Sequence, residues 1–289
     1  MLTGTPLDLT PFGPLLSALG LLYWAVALGA AGLALWLPRS WWAKLSTAAF
    51  VVAAFVYPVM SHVHTRQTKR DEWQARLDES MALFRERCKG AGEKIHRTVA
   101  NVDGIFLENI RPKMESSDRS DPNWPDAALP DESRGDWYIR TFLFWEHHED
   151  NRNPRGYLNN QLSELLGYRF VDVKDADGRT YRYRLIKSEL AELSRELVNG
   201  PPVRYAVSFI NMVDPADRKK WIAGTKVLIT DTVTNEVIAE HTWFSIEPGQ
   251  GNTVSFRSPW GFAQTCPNLK GGATPTRFFV DRVLKPTKE

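Results

Sequence analysis

LLSALGLLYWAVALGAAGLALWL, residues 15–37, runs for 23 positions without a charged side chain. About 20 apolar residues span a hydrocarbon core of roughly 30 Å, so the stretch is read as a membrane-crossing helix. A cleaved signal peptide is the competing reading. It needs a basic segment ahead of the apolar run, and no Lys or Arg precedes Pro14. Residues 45–61 (LSTAAFVVAAFVYPVMS) are shorter and milder, yet no Asp, Glu, Lys or Arg stands between Lys44 and Arg66. They are read as a second span, with Pro58 near its end, where a kink is tolerated. Trp36, Trp41 and Trp42 crowd the connection at the depth where indole rings favour headgroups. Ala25, Gly29 and Gly32 in the first span and Ala49 and Ala53 in the second would let two antiparallel backbones approach closely.

Orientation has to be weighed, because two charge rules disagree. No Lys or Arg precedes the first span, and Arg39 and Lys44 follow it, which places the turn in the cytoplasm and the rest of the chain outside. Arg66, Lys69, Arg70 and Arg76 after the second span argue for a cytoplasmic domain. The first helix usually dominates, and the two cysteines, Cys88 and Cys266, lean the same way, since a pair in an extracytoplasmic domain invites a disulfide. Closing so long a loop would contribute roughly 4–5 kcal/mol in the chain-entropy model. Two unrelated buried thiols are the alternative. The reading is a membrane protein with an extracytoplasmic domain, and the cytoplasmic arrangement stays open.

The 289 residues carry 36 Lys+Arg against 34 Asp+Glu. Residues 1–65 hold only Arg39, Lys44 and Asp8 of these, which leaves 34 against 33 downstream. A nucleic-acid-binding domain would carry an excess of cations to neutralise phosphates, so nucleic acid is not an expected partner. The rest of the chain has room for one or two cores.

After Arg66 the apolar positions Trp73, Leu77, Met81, Phe84 and Cys88 follow helical spacing, with charges on the opposite face and Gly90 and Gly92 as a stop. This predicts an amphipathic connecting helix over residues 66–92; a short coiled coil is a second reading. Strand patterns follow. Residues 95–99 and 104–110 flank an Asp103-Gly104 pair and predict a hairpin. Residues 111–135, rich in Pro, Asp and Ser, predict a long surface loop. Residues 137–145 (WYIRTFLFW) predict a buried strand. Residues 168–173 and 180–186 form the clearest hairpin, through Asp175-Ala176-Asp177-Gly178. Residues 188–199 predict a short helix, residues 203–210, 221–230 and 236–246 predict strands, Asp214-Pro215 starts a helical turn, and residues 276–284 form a terminal helix or strand. The expected fold is α+β: a two-helix transmembrane hairpin over residues 1–65, the amphipathic helix, and a mainly antiparallel β-rich soluble domain over residues 93–289.

No residue pattern marks a catalytic centre. His147, His148, Glu149 and Asp150 are the densest set of potential metal ligands, but neighbours on a strand point to opposite faces and no second cluster completes a site. His96 and His241 are isolated. No HExxH, CxxC or nucleophile elbow occurs, and Pro248-Gly249-Gln250-Gly251-Asn252 lacks the Lys of a phosphate loop. No catalytic, metal or cofactor residue is assigned. The suggestive material is aromatic and cationic. In the second strand of the clear hairpin, Tyr181 and Tyr183 alternate with Arg182 and Arg184, and Trp260 lies in an aromatic segment further on. Tyr, Trp and Arg dominate the anchors of protein interfaces, so these five are the candidate partner-binding residues; much of the aromatic set is ordinary core.

The runs Cys88-Lys89-Gly90-Ala91-Gly92-Glu93-Lys94-Ile95, Arg97-Thr98-Val99, Trp221-Ile222-Ala223-Gly224 through Asp231, and Gly249-Gln250-Gly251 to Ser258-Pro259-Trp260 resemble a group of uncharacterised proteobacterial membrane-anchored proteins of unknown activity. The resemblance covers most of residues 80–268 and none of the hairpin. It implies a bacterial envelope protein and no particular mechanism. The leading expectation is a non-enzymatic binding protein tied to the lipid bilayer, with a toxin or an envelope component as its protein partner; a toxin-neutralising immunity protein is one form of it. An accessory subunit of an envelope or secretion assembly and a membrane-surface hydrolase are the alternatives.

Overall fold

A computed structural model describes residues 12–36, 38, 40–146, 158–159, 167–186, 192–269 and 272–287. The chain divides into two compact units, residues 1–75 and residues 76–289.

The first unit contains α1 (Phe12–Trp36) and most of α2 (Trp41–Lys89). Both helices contain a stretch long and apolar enough to cross a membrane. Their apolar side chains face outward: Leu21, Leu28, Phe50 and Tyr57 are each more than 70% exposed. A soluble domain rarely presents apolar surface on that scale. Where the helices meet, the Tyr23 hydroxyl donates to the Phe55 carbonyl at 2.6 Å and the Thr47 hydroxyl to the Ala34 carbonyl at 3.0 Å. α2 continues without a break through Pro58 to Lys89, so the second apolar stretch and the stripe predicted over residues 66–92 lie on one helix.

The second unit is built on a sheet whose strands are β1 (Gly92–Ile95), β3 (Gly104–Leu107), β6 (Phe170–Lys174), β7 (Thr180–Leu185), β8 (Leu193–Leu197), β9 (Tyr205–Met212), β10 (Ile222–Asp231), β11 (Glu236–Ile246) and β12 (Gln264–Cys266). Their order is β1-β11-β10-β9-β3-β6-β7-β8, with β12 beside the end of β11. Pairing is antiparallel except at β3, which runs parallel to both β9 and β6. A central strand covered on both faces must be apolar throughout, and all four residues of β3 are buried. Two short pairs stand apart: β2 (Val99–Val102) with β13 (Leu284–Pro286), and β4 (Trp145–Glu146) with β5 (Leu158–Asn159). Among the described residues the unit also holds the end of α2 and the helices α3 (Asp136–Leu143), α4 (Pro215–Lys219) and α5 (Pro275–Val283). Val171, Val207, Val227, Ile229 and Trp243 from the sheet meet Tyr138, Phe142, Phe279 and Val283 from α3 and α5 in the main core.

Several expectations are corrected. Residues 95–110 make no hairpin: β1 joins β11, β2 joins β13, and β3 joins β6 and β9. Only Asp103 separates β2 from β3, too little for a two-residue turn. Gly104 serves packing instead, since a Cβ there would lie 2.4 Å from the Phe170 ring across the strands. Residues 136–143 are a helix, not a strand. Tyr138, Ile139, Phe142 and Leu143 repeat at helical spacing, and burying that face outweighs the strand propensity of its aromatic residues. Residues 193–197 form strand β8 along the free edge of β7 where a helix was predicted; residues 187–191 lie outside the described residues. The segment 111–135 is no loose surface loop. It carries two 3-10 turns and buries Arg111, Trp124, Asp126, Ala127, Ala128, Leu129 and Glu132 over β10 and β11.

Candidate binding pocket

The predicted partner-binding residues do not form one patch. Trp260 is fully buried, packs with Trp124, Ala127, Ala128 and Ala223, and donates its indole N–H to the Asp121 carbonyl at 2.8 Å. That corrects its reading as a surface anchor: it belongs to a satellite core. The β7 residues lie across the sheet, with β9, β3 and β6 between them and β10. Tyr183 packs against the main core. The Arg182 guanidinium grips the buried Asp172 carboxylate with two hydrogen bonds, 2.7 and 2.9 Å, and lies 3.9 Å from the Phe170 ring centroid. Tyr181 donates to Asp177 at 2.9 Å beneath the Arg195 guanidinium, and Arg184 pairs with Glu196 at 3.0 Å. Each of these polar groups already has a partner inside the domain.

The glycine-rich loop after β11 wraps an anion of its own. Glu247 is sealed from solvent, and its two carboxylate oxygens accept the backbone N–H of Gly249 and of Gly251, both at 2.7 Å, while Arg257 pairs with the same carboxylate. Consecutive backbone N–H groups make a concave anion site, and here a side chain of the chain fills it. Gly251 sits at φ +81°, where a Cβ would lie 2.2 Å from the Trp221 ring. His147, His148, Glu149 and Asp150 lie outside the described residues. Among the described residues no cluster of three or more His, Cys, Asp or Glu has metal-site geometry.

A cavity of about 210 Å³ opens elsewhere, between β1, β11, α5 and the segment after β12. Its walls include Gly92, Glu93, His241, Trp243, Pro267 and Asn268, with Phe278, Phe279 and Arg282 from α5. The strand register explains how residues so distant in sequence meet. Glu93 on β1 lies directly opposite His241 on β11, and Trp243, two residues on, shares its face. The His241 ring stacks on Trp243 at 3.6 Å between centroids with 17° between planes, and Phe279 meets it edge-on at 5.1 Å. The Glu93 carboxylate stands 3.4 Å from His241 Nδ1 and also takes the Arg282 guanidinium. Burial holds the Arg282 guanidinium below the usual arginine range.

One rim of the cavity is covalently fixed. Cys88, in the last turn of α2, and Cys266, the last residue of β12, form a disulfide with Cα atoms 5.8 Å apart. Gly92 and Glu93 follow Cys88 by a few residues and Pro267 follows Cys266 directly, so the bridge clamps two parts of the wall together. The sequence reading set His241 aside as isolated, counted Trp243 only within a general aromatic set, and missed Glu93 and Arg282. The only local signal was the spacing of His241 and Trp243 on one strand face. A carboxylate beside an imidazole is a proton-handling pair, but no Ser, Thr or Cys lines the described wall to act as nucleophile. The arrangement is chemically suited to holding a ligand. No family model matches the chain, and comparison with curated proteins and with solved structures finds no significant match.

Proposed function

We propose that this chain is a non-enzymatic binding protein of the bacterial envelope, anchored in the inner membrane by a hairpin of α1 and the apolar part of α2, with its β-rich domain on the periplasmic side, where it engages a protein partner. The observation that carries the reading is the Cys88–Cys266 disulfide. Disulfides persist in oxidising compartments and are rare in the cytosol, and this one fastens the end of α2 to the sheet edge. The outward apolar surface of the first unit supports the anchor, since lipid is the solvent such side chains suit.

Purification of the full-length protein in mild detergent tests the partner: a single stoichiometric protein is expected. Recovery of several membrane proteins together would favour an accessory subunit of an envelope assembly. In its toxin-neutralising form the reading further requires an adjacent gene for a secreted effector, and protection of cells from that effector by this protein. The paired Glu93 and His241 favour a second reading, a hydrolase working at the membrane surface. That reading requires His241→Ala to abolish a hydrolytic activity while leaving the fold intact.

A further inference from the structure

We infer that the cavity between β1, β11 and α5 is a binding site for a small, uncharged planar ring compound carrying adjacent hydrogen-bond donor and acceptor groups, of the aromatic-amide or nucleobase type. This goes beyond the protein-binding reading and does not depend on it. Three observations set the chemistry.

The first is the walls. His241, Trp243, Phe278 and Phe279 line the cavity with aromatic side chains, and Pro267 and Pro275 add apolar surface. Aromatic rings pack best against other rings, offset or edge-on. The second is charge. The polar groups are the Glu93 carboxylate, the Arg282 guanidinium that pairs with it, the His241 imidazole and Asn268. Their formal charges cancel, so a carboxylate ligand would meet Glu93 and an amidinium would meet Arg282. A neutral amide suits both, since its carbonyl can accept from arginine while its N–H donates to the carboxylate. The Arg282 and Glu93 side chains keep 30% and 24% of their surface exposed, which leaves both groups within reach of such an amide. The third is size. An engineered cavity of about 150 Å³ holds one benzene. The volume of about 210 Å³ leaves room for one ring and a polar substituent.

The test is calorimetric titration of the full-length protein in detergent, with detergent alone as blank, using benzamide, benzoate, benzamidine and cyclohexanecarboxamide. Benzamide is expected to bind saturably and at least tenfold more tightly than the other three. The same titration on Arg282→Met should show at least a tenfold loss for benzamide. Arg282→Lys, which keeps the charge and loses the planar fork of N–H donors, should show the same loss and decides the matter should the methionine variant fail to fold. No saturable binding of benzamide, equal or tighter binding of benzoate or benzamidine, or undiminished binding to the folded variants would overturn the assignment. None of these results bears on the protein partner, which the detergent co-purification tests separately.

Discussion

Where residues 111–135 cover β10 and β11, ionised groups are sealed from water; at the opposite end of the sheet, β7 and β8 carry theirs in the open. In the covered region Arg111 and Arg134 each reach the Asp126 carboxylate at 2.6 Å, Asn211 adds a third hydrogen bond at 2.8 Å, and Arg111 lies 4.3 Å from the Phe209 ring centroid. Nearby Glu132 accepts from the Thr276 backbone N–H at 3.0 Å and from its hydroxyl at 2.6 Å. Burial pushes the Glu132 carboxyl up and the Arg134 guanidinium down, because each charged form loses solvation. In the open region Arg184 and Glu196 meet at 3.0 Å with their side chains 42% and 65% exposed. The distances are alike and the consequences are not. In the covered region each charge depends on its partner, whereas in the open region water substitutes for a lost one.

Substitutions make that contrast measurable. Asp126→Ala leaves two buried guanidinium groups without their carboxylate and should destabilise the domain by about 3–5 kcal/mol in urea unfolding. The double variant Asp126→Ala/Arg111→Met should recover part of that loss; a strictly additive double variant would show that the buried groups do not act together. Cys266→Ser opens the long loop closed by the disulfide and should cost about 2–5 kcal/mol, read as a lower unfolding midpoint under non-reducing conditions. An unchanged midpoint would mean that the bridge does not constrain the unfolded chain.

Acid should act through a third buried carboxylate. Asp231, fully sealed, is gripped by Arg204 at 2.8 Å and by Arg97 at 2.6 Å, and these guanidinium groups hold its carboxyl well below the usual range. A carboxylate depressed in the folded state contributes stability that is present above its unfolded value of about 4 and is lost as pH falls below it. Glu132 is raised, so it has the opposite sign: its cost grows as pH climbs from about 4 toward its folded value. Midpoints of Asp231→Asn should therefore fall less steeply in acid than those of the parent chain. The Glu132→Gln variant should gain relative to the parent as pH rises. At the open end Glu196→Ala should cost less than about 1 kcal/mol, and adding salt should shrink the difference further.

The same contrast decides what the sequence made legible. The β6–β7 hairpin was visible because its second strand alternates and its turn residues are local, and β10 and β11 were visible as strands. Residues 136–143 misled because aromatic side chains favour strands on average, while burial of one helical face decides the matter here. Residues 111–135 look like solvent-exposed loop by composition. Nothing within that segment reveals that Asp126 finds Asn211 and that Arg111 finds Thr225 on distant strands. Trp260 was taken for an interface anchor because Trp marks interfaces and cores alike. The cavity was illegible for a related reason, since Glu93 meets His241 only through the pairing of the first strand with the eleventh.

The central claim, an anchored domain in an oxidising compartment, is tested most directly by thiol labelling in intact bacterial spheroplasts with a membrane-impermeant maleimide, followed by carbonate washing of the membranes. The account predicts that the protein stays in the washed membrane pellet, that Cys88 and Cys266 resist labelling until reduced, and that after reduction they react without lysis. Release into the supernatant without detergent, or two thiols that react without reductant and only after lysis, would contradict it.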